Sequence, residues 1–162
     1  MSRSAPALRP YLPDDAPLLA AIFAASIMDL TGDDYSEAQQ EANRKAVLAF
    51  YDKGLNQKDA DAALAYVGNR YVKHNPGAAD GPDGFRKFIG FLREKFPNSH
   101  SEIKRSFVDG DYVILHVHAV REPGTRGNAI IDIFKLEDGK IVEHWDVVQP
   151  IPENPANNNT MF

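Results

Sequence analysis

From Asp111 to Gln149 the chain alternates apolar and polar positions with a period of two, in DYVILHVHAV, NAIIDIFKLE and KIVEHWDVVQ. That period, with its β-branched and aromatic content, predicts consecutive strands. Asp109-Gly110 and Asp138-Gly139 fall between such runs and read as two-residue hairpin loops. Those loops place Ile103 opposite His116 and Asp132 opposite Trp145. The connection around Pro123-Gly124 is longer and leaves its register open by one residue, a slip that would turn a whole strand over. With Asp132 on the face of His116 and His118, that face also carries Ile114, Ile130, Phe134, Trp145, Val147 and Gln149. The other face carries Val113, Leu115, Val117, Ile131, Ile133, Val142, His144, Asp146 and Val148. Both faces are too apolar for water, so the sheet needs a cover on each side, helices on one and a second copy of the chain on the other.

Upstream the period changes to that of helices. Ser36 with Gln39 has capping-box spacing, Val47, Leu48, Tyr51 and Leu55 mark one face, and Gly54 is the expected stop. Asp59 caps a second helix that ends by Gly68. A short strand over Arg70 to Lys73 leads into the turn His74-Asn75-Pro76-Gly77. A third helix from Pro82 carries Phe85, Phe88, Ile89, Leu92 and Phe96 on one face and stops at Pro97, so it is the expected cover of the sheet. The domain reading is a leader over residues 1–35, a domain over 36–149 and a tail over 150–162. Prolines at 6, 10, 13 and 17 precede a short helical pattern of Leu18, Leu19, Ile22, Phe23, Ile27 and Leu30. The tail, PIPENPANNNTMF, has no regular pattern, but ending on Met161 and Phe162 predicts that it docks on an apolar surface.

Length and charge then narrow the function. A chain of 162 residues with no cysteine is one domain of ordinary size, without disulfides, thiolate nucleophile or cysteine metal site, which suits a cytoplasmic protein. The 18 basic and 23 acidic residues give a net charge of −5 with no basic block, which argues against nucleic acid. The apolar run Leu18 to Leu30 is too short to span a bilayer, so no membrane partner is expected.

The candidate chemistry lies in the histidines. His116 and His118, two apart on a strand, point the same way, and an imidazole titrating near neutrality suits proton removal next to a carbonyl. Asp132 is the carboxylate that the hairpin register brings to them. The catalytic set is therefore His116, His118 and Asp132. A divalent ion held by the two histidines with His74 or Asp132 is the competing chemistry. His144 and Asp146 project to the opposite face and read as structural or interface residues.

The order of elements, two or three helices, a short strand, a covering helix and four antiparallel strands, resembles the nuclear transport factor two-like fold. Within it NRKAVLAFYD, YVKHNP, GDYVILHVH, IDIFKLEDGKIVEHWDV and the terminal NTMF are similar to the SnoaL-like family, over Glu41 to Phe162. The resemblance implies an α+β fold, a cone-shaped α+β barrel with helices packed on a curved antiparallel sheet enclosing a pocket, and a homodimer formed through the sheet. It also implies acid–base catalysis on a carbonyl-bearing small molecule without metal or cofactor, of the aldol-condensing polyketide cyclase type, in a pocket lined by His74, Trp145 and Gln149. The acid/base aspartate that the family carries a few residues after such a tryptophan falls here at Gln149, which cannot transfer protons. A non-catalytic ligand-binding or dimeric interaction module is the alternative. Residues 9–39, RPYLPDDAPLLAAIFAAS continuing to DDYSEAQ, resemble the opening of GNAT-type acetyltransferases, but no glycine-rich loop for acetyl-CoA follows.

Overall fold

The computed structural model describes residues 15–17, 19–22 and 37–162. The chain divides into two compact units, Met1–Tyr35 and Ser36–Phe162. In the first, residues 16–17 and 19–22 are helical, with Leu19 and Ile22 exposed. The acetyltransferase-like string and the expected Ser36 cap otherwise lie outside the described residues.

The second unit opens with α1, Glu37–Tyr51, whose Asn43, Val47, Phe50 and Tyr51 are buried at helical spacing. The helix does not stop at Gly54. It widens into a π-turn over Asp52–Asn56 in which Gly54 is buried. A Cβ on Gly54 would stand 2.8 Å from Phe85 Cζ, so this glycine serves the close approach of a neighbouring helix rather than a helix end. The chain turns at Lys58, which has φ 55°, and its Nζ donates to the Leu55, Asn56 and Ser99 carbonyls at 3.5, 3.3 and 2.9 Å. Helix α2, Ala60–Leu64, is capped as expected, with Asp59 accepting from the Ala62 N–H at 2.9 Å. Gly68 lies beyond it, inside strand β1, Val67–Lys73. Helix α3, Gly81–Lys95, starts with Pro82 in its first turn and buries Phe85, Ile89 and Leu92.

Strands β2 (His100–Asp109), β3 (Tyr112–Val120), β4 (Asn128–Glu137) and β5 (Lys140–Pro150) complete one sheet in the order β1-β5-β4-β3-β2. The last four are antiparallel and β1 adds in parallel on β5. The expected cone-shaped barrel, with its purely antiparallel sheet, is not formed. β1 and β2 are the two edges and do not pair with each other, and five strands fall short of the roughly eight that close around a filled interior.

The register departs from the expectation in three strand pairings. Asp138 and Gly139 form the predicted hairpin turn, both at positive φ (50° and 71°), and Glu137 faces Lys140. A bulge at Val142 then shifts the pairing by one residue, so that Asp132 faces Asp146 and Ile133 faces Trp145. The loop of the β2–β3 hairpin is Gly110-Asp111, one residue later than expected, and a further bulge at Lys104 leaves Ile103 opposite Val117. Across the long connection Leu115 faces Asp132. Strands β3 and β5 thus present the expected faces relative to each other, and β4 alone is turned over.

The face packed beneath the helices carries Val113, Leu115, Val117, Phe134, Leu136 and Ile141, all at or below 1% exposure. Phe50, Phe85 and Ile89 close over them. Phe50 stacks on Phe85 at 5.0 Å and meets Phe134 edge-on at 5.8 Å between ring centres.

Candidate active site

Parity along the strands decides which polar residues reach this inner face. On β1, Tyr71 and Lys73 alternate to the same side, and Asn75 follows just past the strand end. Lys73 pairs across the parallel ladder with His144 of β5. The Val142 bulge sends His144 and Asp146 inward, beside Asp132 of β4. From above, α1 contributes Phe50 and Tyr51.

These side chains form one hydrogen-bonded series. Tyr51 Oη donates to Asp132 Oδ2 at 3.1 Å, and His144 Nε2 lies 2.8 Å from Asp132 Oδ1. Lys73 Nζ lies 2.5 Å from His144 Nδ1. The partners fix the tautomer: Nε2 faces a carboxylate and carries the proton, while Nδ1 faces an ammonium and accepts. Lys73 also approaches Asp146 Oδ2 at 3.8 Å, and Asn75 Nδ2 donates to Asp146 Oδ1. The His144 ring stacks on Phe134 at 4.3 Å, which holds its plane.

The series lines a cavity of about 600 Å³ whose other walls are aromatic, among them Phe50, Phe85, Phe88 and Phe91. Burial shapes the titration of its members. It pushes the Tyr51 phenol far above the ordinary tyrosine range, with Asp132 acting in the same direction, and it raises Tyr71 likewise, helped by Asp132 and Asp146. Both phenols are therefore neutral donors at physiological pH. For Lys73, burial lowers the pKa below the ordinary lysine value and outweighs the opposing pull of Asp146 and Asp132. Tyr71 Oη is buried and has no hydrogen-bond partner among the described residues, although its ring lines the cavity. An orphaned buried hydroxyl costs about 1–3 kcal/mol.

The donor atoms of Asp132, His144 and Asp146 all lie within 4.8 Å of one another, close enough to share a divalent cation. The same atoms already neutralise Lys73, whose ammonium occupies the position of positive charge between His144 and Asp146.

The expected catalytic set does not converge. Asp132 faces the cavity, whereas His116 and His118 point to the opposite, outer face, because Leu115 and not His116 pairs with Asp132. There His116 Nδ1 lies 3.1 Å from Arg105, and His118 Nε2 donates to the Arg126 carbonyl at 2.8 Å. The Phe162 ring covers both, with centroids 5.2 and 4.7 Å from theirs, and Lys104 stands over that ring. Trp145 is also on the outer face, stacked on His74 at 4.3 Å, and His74 bonds Glu143 at 3.0 Å. Gln149 is exposed at the end of β5. His74, Trp145 and Gln149 thus do not line the cavity. The residues that do, Tyr51, Tyr71, Lys73, His144 and Asp146, include the pair assigned to structure or interface. Their signal in the sequence is a polar group at every second residue, Y-x-K-x-N running from β1 into the following turn and H-x-D on β5.

Residues 47–144 match the sequence model of the SnoaL-like domain. The chain belongs to the SnoaL-like family. A polyketide cyclase candidate from Bacillus cereus ATCC 10987 superposes with a TM-score of 0.59 at 27% identity, over 71% of this chain and 80% of that one. A SnoaL-like polyketide cyclase candidate from Jannaschia sp. CCS1 gives 0.55 at 21% identity, over 71% and 90%. An uncharacterised protein from Novosphingobium aromaticivorans gives 0.57 at 21%, over 65% and 97%. No curated protein matches the chain at a significant level. No helix among the described residues is long and apolar enough to cross a membrane.

Proposed function

We propose that this SnoaL-like chain is an enzyme that moves a proton on a carbonyl-bearing small molecule held in the cavity beneath α3. The observation that carries the reading is the buried series Lys73, His144, Asp132 and Tyr51 on the wall of a cavity of about 600 Å³. That volume is in the range of small-molecule sites, and aromatic walls with a few convergent polar groups are their usual lining. His144 is the proton acceptor. Asp132 holds it in the tautomer that leaves Nδ1 basic and stabilises the imidazolium that forms. Tyr51, too weakly acidic to ionise, fixes the second oxygen of Asp132. Lys73 is the donor able to meet an oxygen that becomes negative as the proton leaves. The polyketide cyclase names carried by the Bacillus and Jannaschia relatives make enolisable ketones and 1,3-diketones the first compounds to try.

The test is exchange of α-protons for deuterium in a panel of such compounds, followed by NMR. The wild-type chain exchanges at least one compound above the buffer rate, and His144→Gln lowers that rate by ~10²-fold or more. If no compound exchanges faster than in buffer, or if His144→Gln matches the wild type, the assignment is wrong. Compounds that shift protein resonances without exchanging would mark a ligand-binding module instead.

A further inference from the structure

Lys73 is the one member of the series that ordinary acid–base catalysis leaves underused. Its side chain is only 13% exposed, it lines the cavity, and its Nζ is 2.5 Å from an imidazole nitrogen that can only be an acceptor there. A lysine kept merely as a counter-ion would point between its carboxylates. Here Asp146 Oδ2 is the more distant partner, at 3.8 Å, and the close partner is a base backed by its own carboxylate. That is the arrangement that removes a proton from a nucleophile.

We propose that Lys73 is a covalent catalytic residue which forms an imine with the carbonyl carbon of the substrate. The inference rests on the reading that the cavity takes a carbonyl compound. Lys73 gives one ammonium proton to His144 Nδ1, which becomes imidazolium against Asp132. The free amine then attacks the carbonyl carbon: the C–N bond forms and the C=O π pair moves to oxygen, which takes a proton. The proton taken by oxygen is one of the two on the new ammonium nitrogen; the His144 imidazolium then protonates the hydroxyl, water leaves as the nitrogen pair forms C=N, and neutral His144 accepts the last N–H proton. The overall change is carbonyl plus amine to imine plus water, with no oxidant, reductant or cofactor. The groups that face Lys73 are His144 and Asp146 of β5, Asp132 of β4 and the Tyr71 ring, 5.9 Å away. Burial lowers the basicity of Lys73 against the pull of both aspartates, which makes its free amine easier to reach than that of an exposed lysine. An imine would also acidify the neighbouring C–H, so the same site would reach an enamine, the nucleophile of an aldol-type bond formation.

The probe is 2,4-pentanedione, which condenses with amines to a stable enaminone with loss of water and is read by intact mass and peptide mapping. The expected result is one adduct at Lys73, formed at least ~10-fold faster than at exposed lysines. It is lost in Lys73→Arg and slowed in His144→Gln, with circular dichroism confirming that both variants fold. Labelling spread evenly over the surface lysines of the wild type overturns the proposal whether or not the variants fold, as does equal labelling of Lys73→Arg. The deuterium-exchange assay separates the two readings. Exchange that depends on His144 without an adduct at Lys73 sinks the imine alone, an adduct without exchange sinks the proton-transfer reading alone, and the absence of both removes both.

Discussion

Asp132 is 4% exposed and is the acceptor for two buried donors, Tyr51 Oη at 3.1 Å and His144 Nε2 at 2.8 Å. Asp132→Ala removes both acceptor oxygens and leaves a phenol and an imidazole N–H without partners. Each orphan costs about 1–3 kcal/mol, so the sum is about 2–6 kcal/mol, and relief from burying a carboxylate brings the expected loss to about 2–4 kcal/mol. For a domain of this size that is a fall in Tm of roughly 6–15 °C. Asp132→Asn keeps one acceptor and turns an N–H₂ towards the other donor, so it should cost about half as much. The decisive measurement is a double-mutant cycle in urea. Tyr51→Phe removes the orphaned hydroxyl, so in the Asp132→Ala background it should recover about 1–2 kcal/mol, whereas in the wild type it should destabilise. A Tyr51→Phe effect of the same sign and size in both backgrounds would show that the series is not coupled as its geometry requires.

Lys73→Met tests the burial of the amine through pH. A lysine whose folded pKa lies below its unfolded 10.5 binds fewer protons folded than unfolded between the two values, so stability rises with pH through that window. The Tm advantage of Lys73→Met over the wild type should therefore shrink as pH climbs towards 10.5, and a flat difference would deny the shift. We expect a homodimer through the outer face of the sheet, where Phe107, Ile131 and Val147 are 56%, 41% and 72% exposed; Val147→Lys should yield monomers in sedimentation, and a monomeric wild type would end that expectation. Phe162→Ala should lower stability by about 1–2 kcal/mol in chemical denaturation, because the ring rests on His116 and His118, and an unchanged midpoint would mean that the contact contributes nothing.

Much of the architecture was readable because each element announces itself locally. The Asp59 cap, the Pro82 start of α3 and the Asp138-Gly139 turn depend on residues a few positions apart, and all three appear as read. Gly54 misled because a helical glycine near a plausible end looks the same whether it stops the helix or admits Phe85. The open, mixed sheet was not readable, since whether β1 closes on β2 or pairs only with β5 depends on strand separation and not on any residue pattern. The candidate site failed for two sharper reasons: the long connection around Pro123-Gly124 left the β3–β4 register open, and it sets Leu115 rather than His116 opposite Asp132, while a bulge brings His144 and Asp146 inward instead of Trp145. Counting outward from a two-residue turn assumes one residue opposite one residue, and the bulge at Val142 breaks that count two residues into β5. Nothing in Ile141-Val142-Glu143 marks it, because all three are ordinary strand residues.

The two faces of this sheet carry nearly the same chemical groups, and this is why residue type alone could not choose between them. Outside lie His116, His118, Arg105 and Lys104; inside lie His144, Lys73, Asp132 and Asp146. What differs is the medium. The outer histidines bond a guanidinium and a backbone carbonyl at partly exposed positions, where water competes for every contact. The inner histidine is 6% exposed, so its bonds to Asp132 and Lys73 act in a setting where charge is poorly screened and a displaced proton has few places to go. Burial alone would make such a cluster expensive, and a well-packed apolar set of the same shape would fold at least as well. The inner residues also touch an open cavity instead of being sealed in packed core, so their polar atoms face space that a ligand can fill. A polar cluster that is both costly to bury and set on the wall of a cavity has its explanation in the ligand.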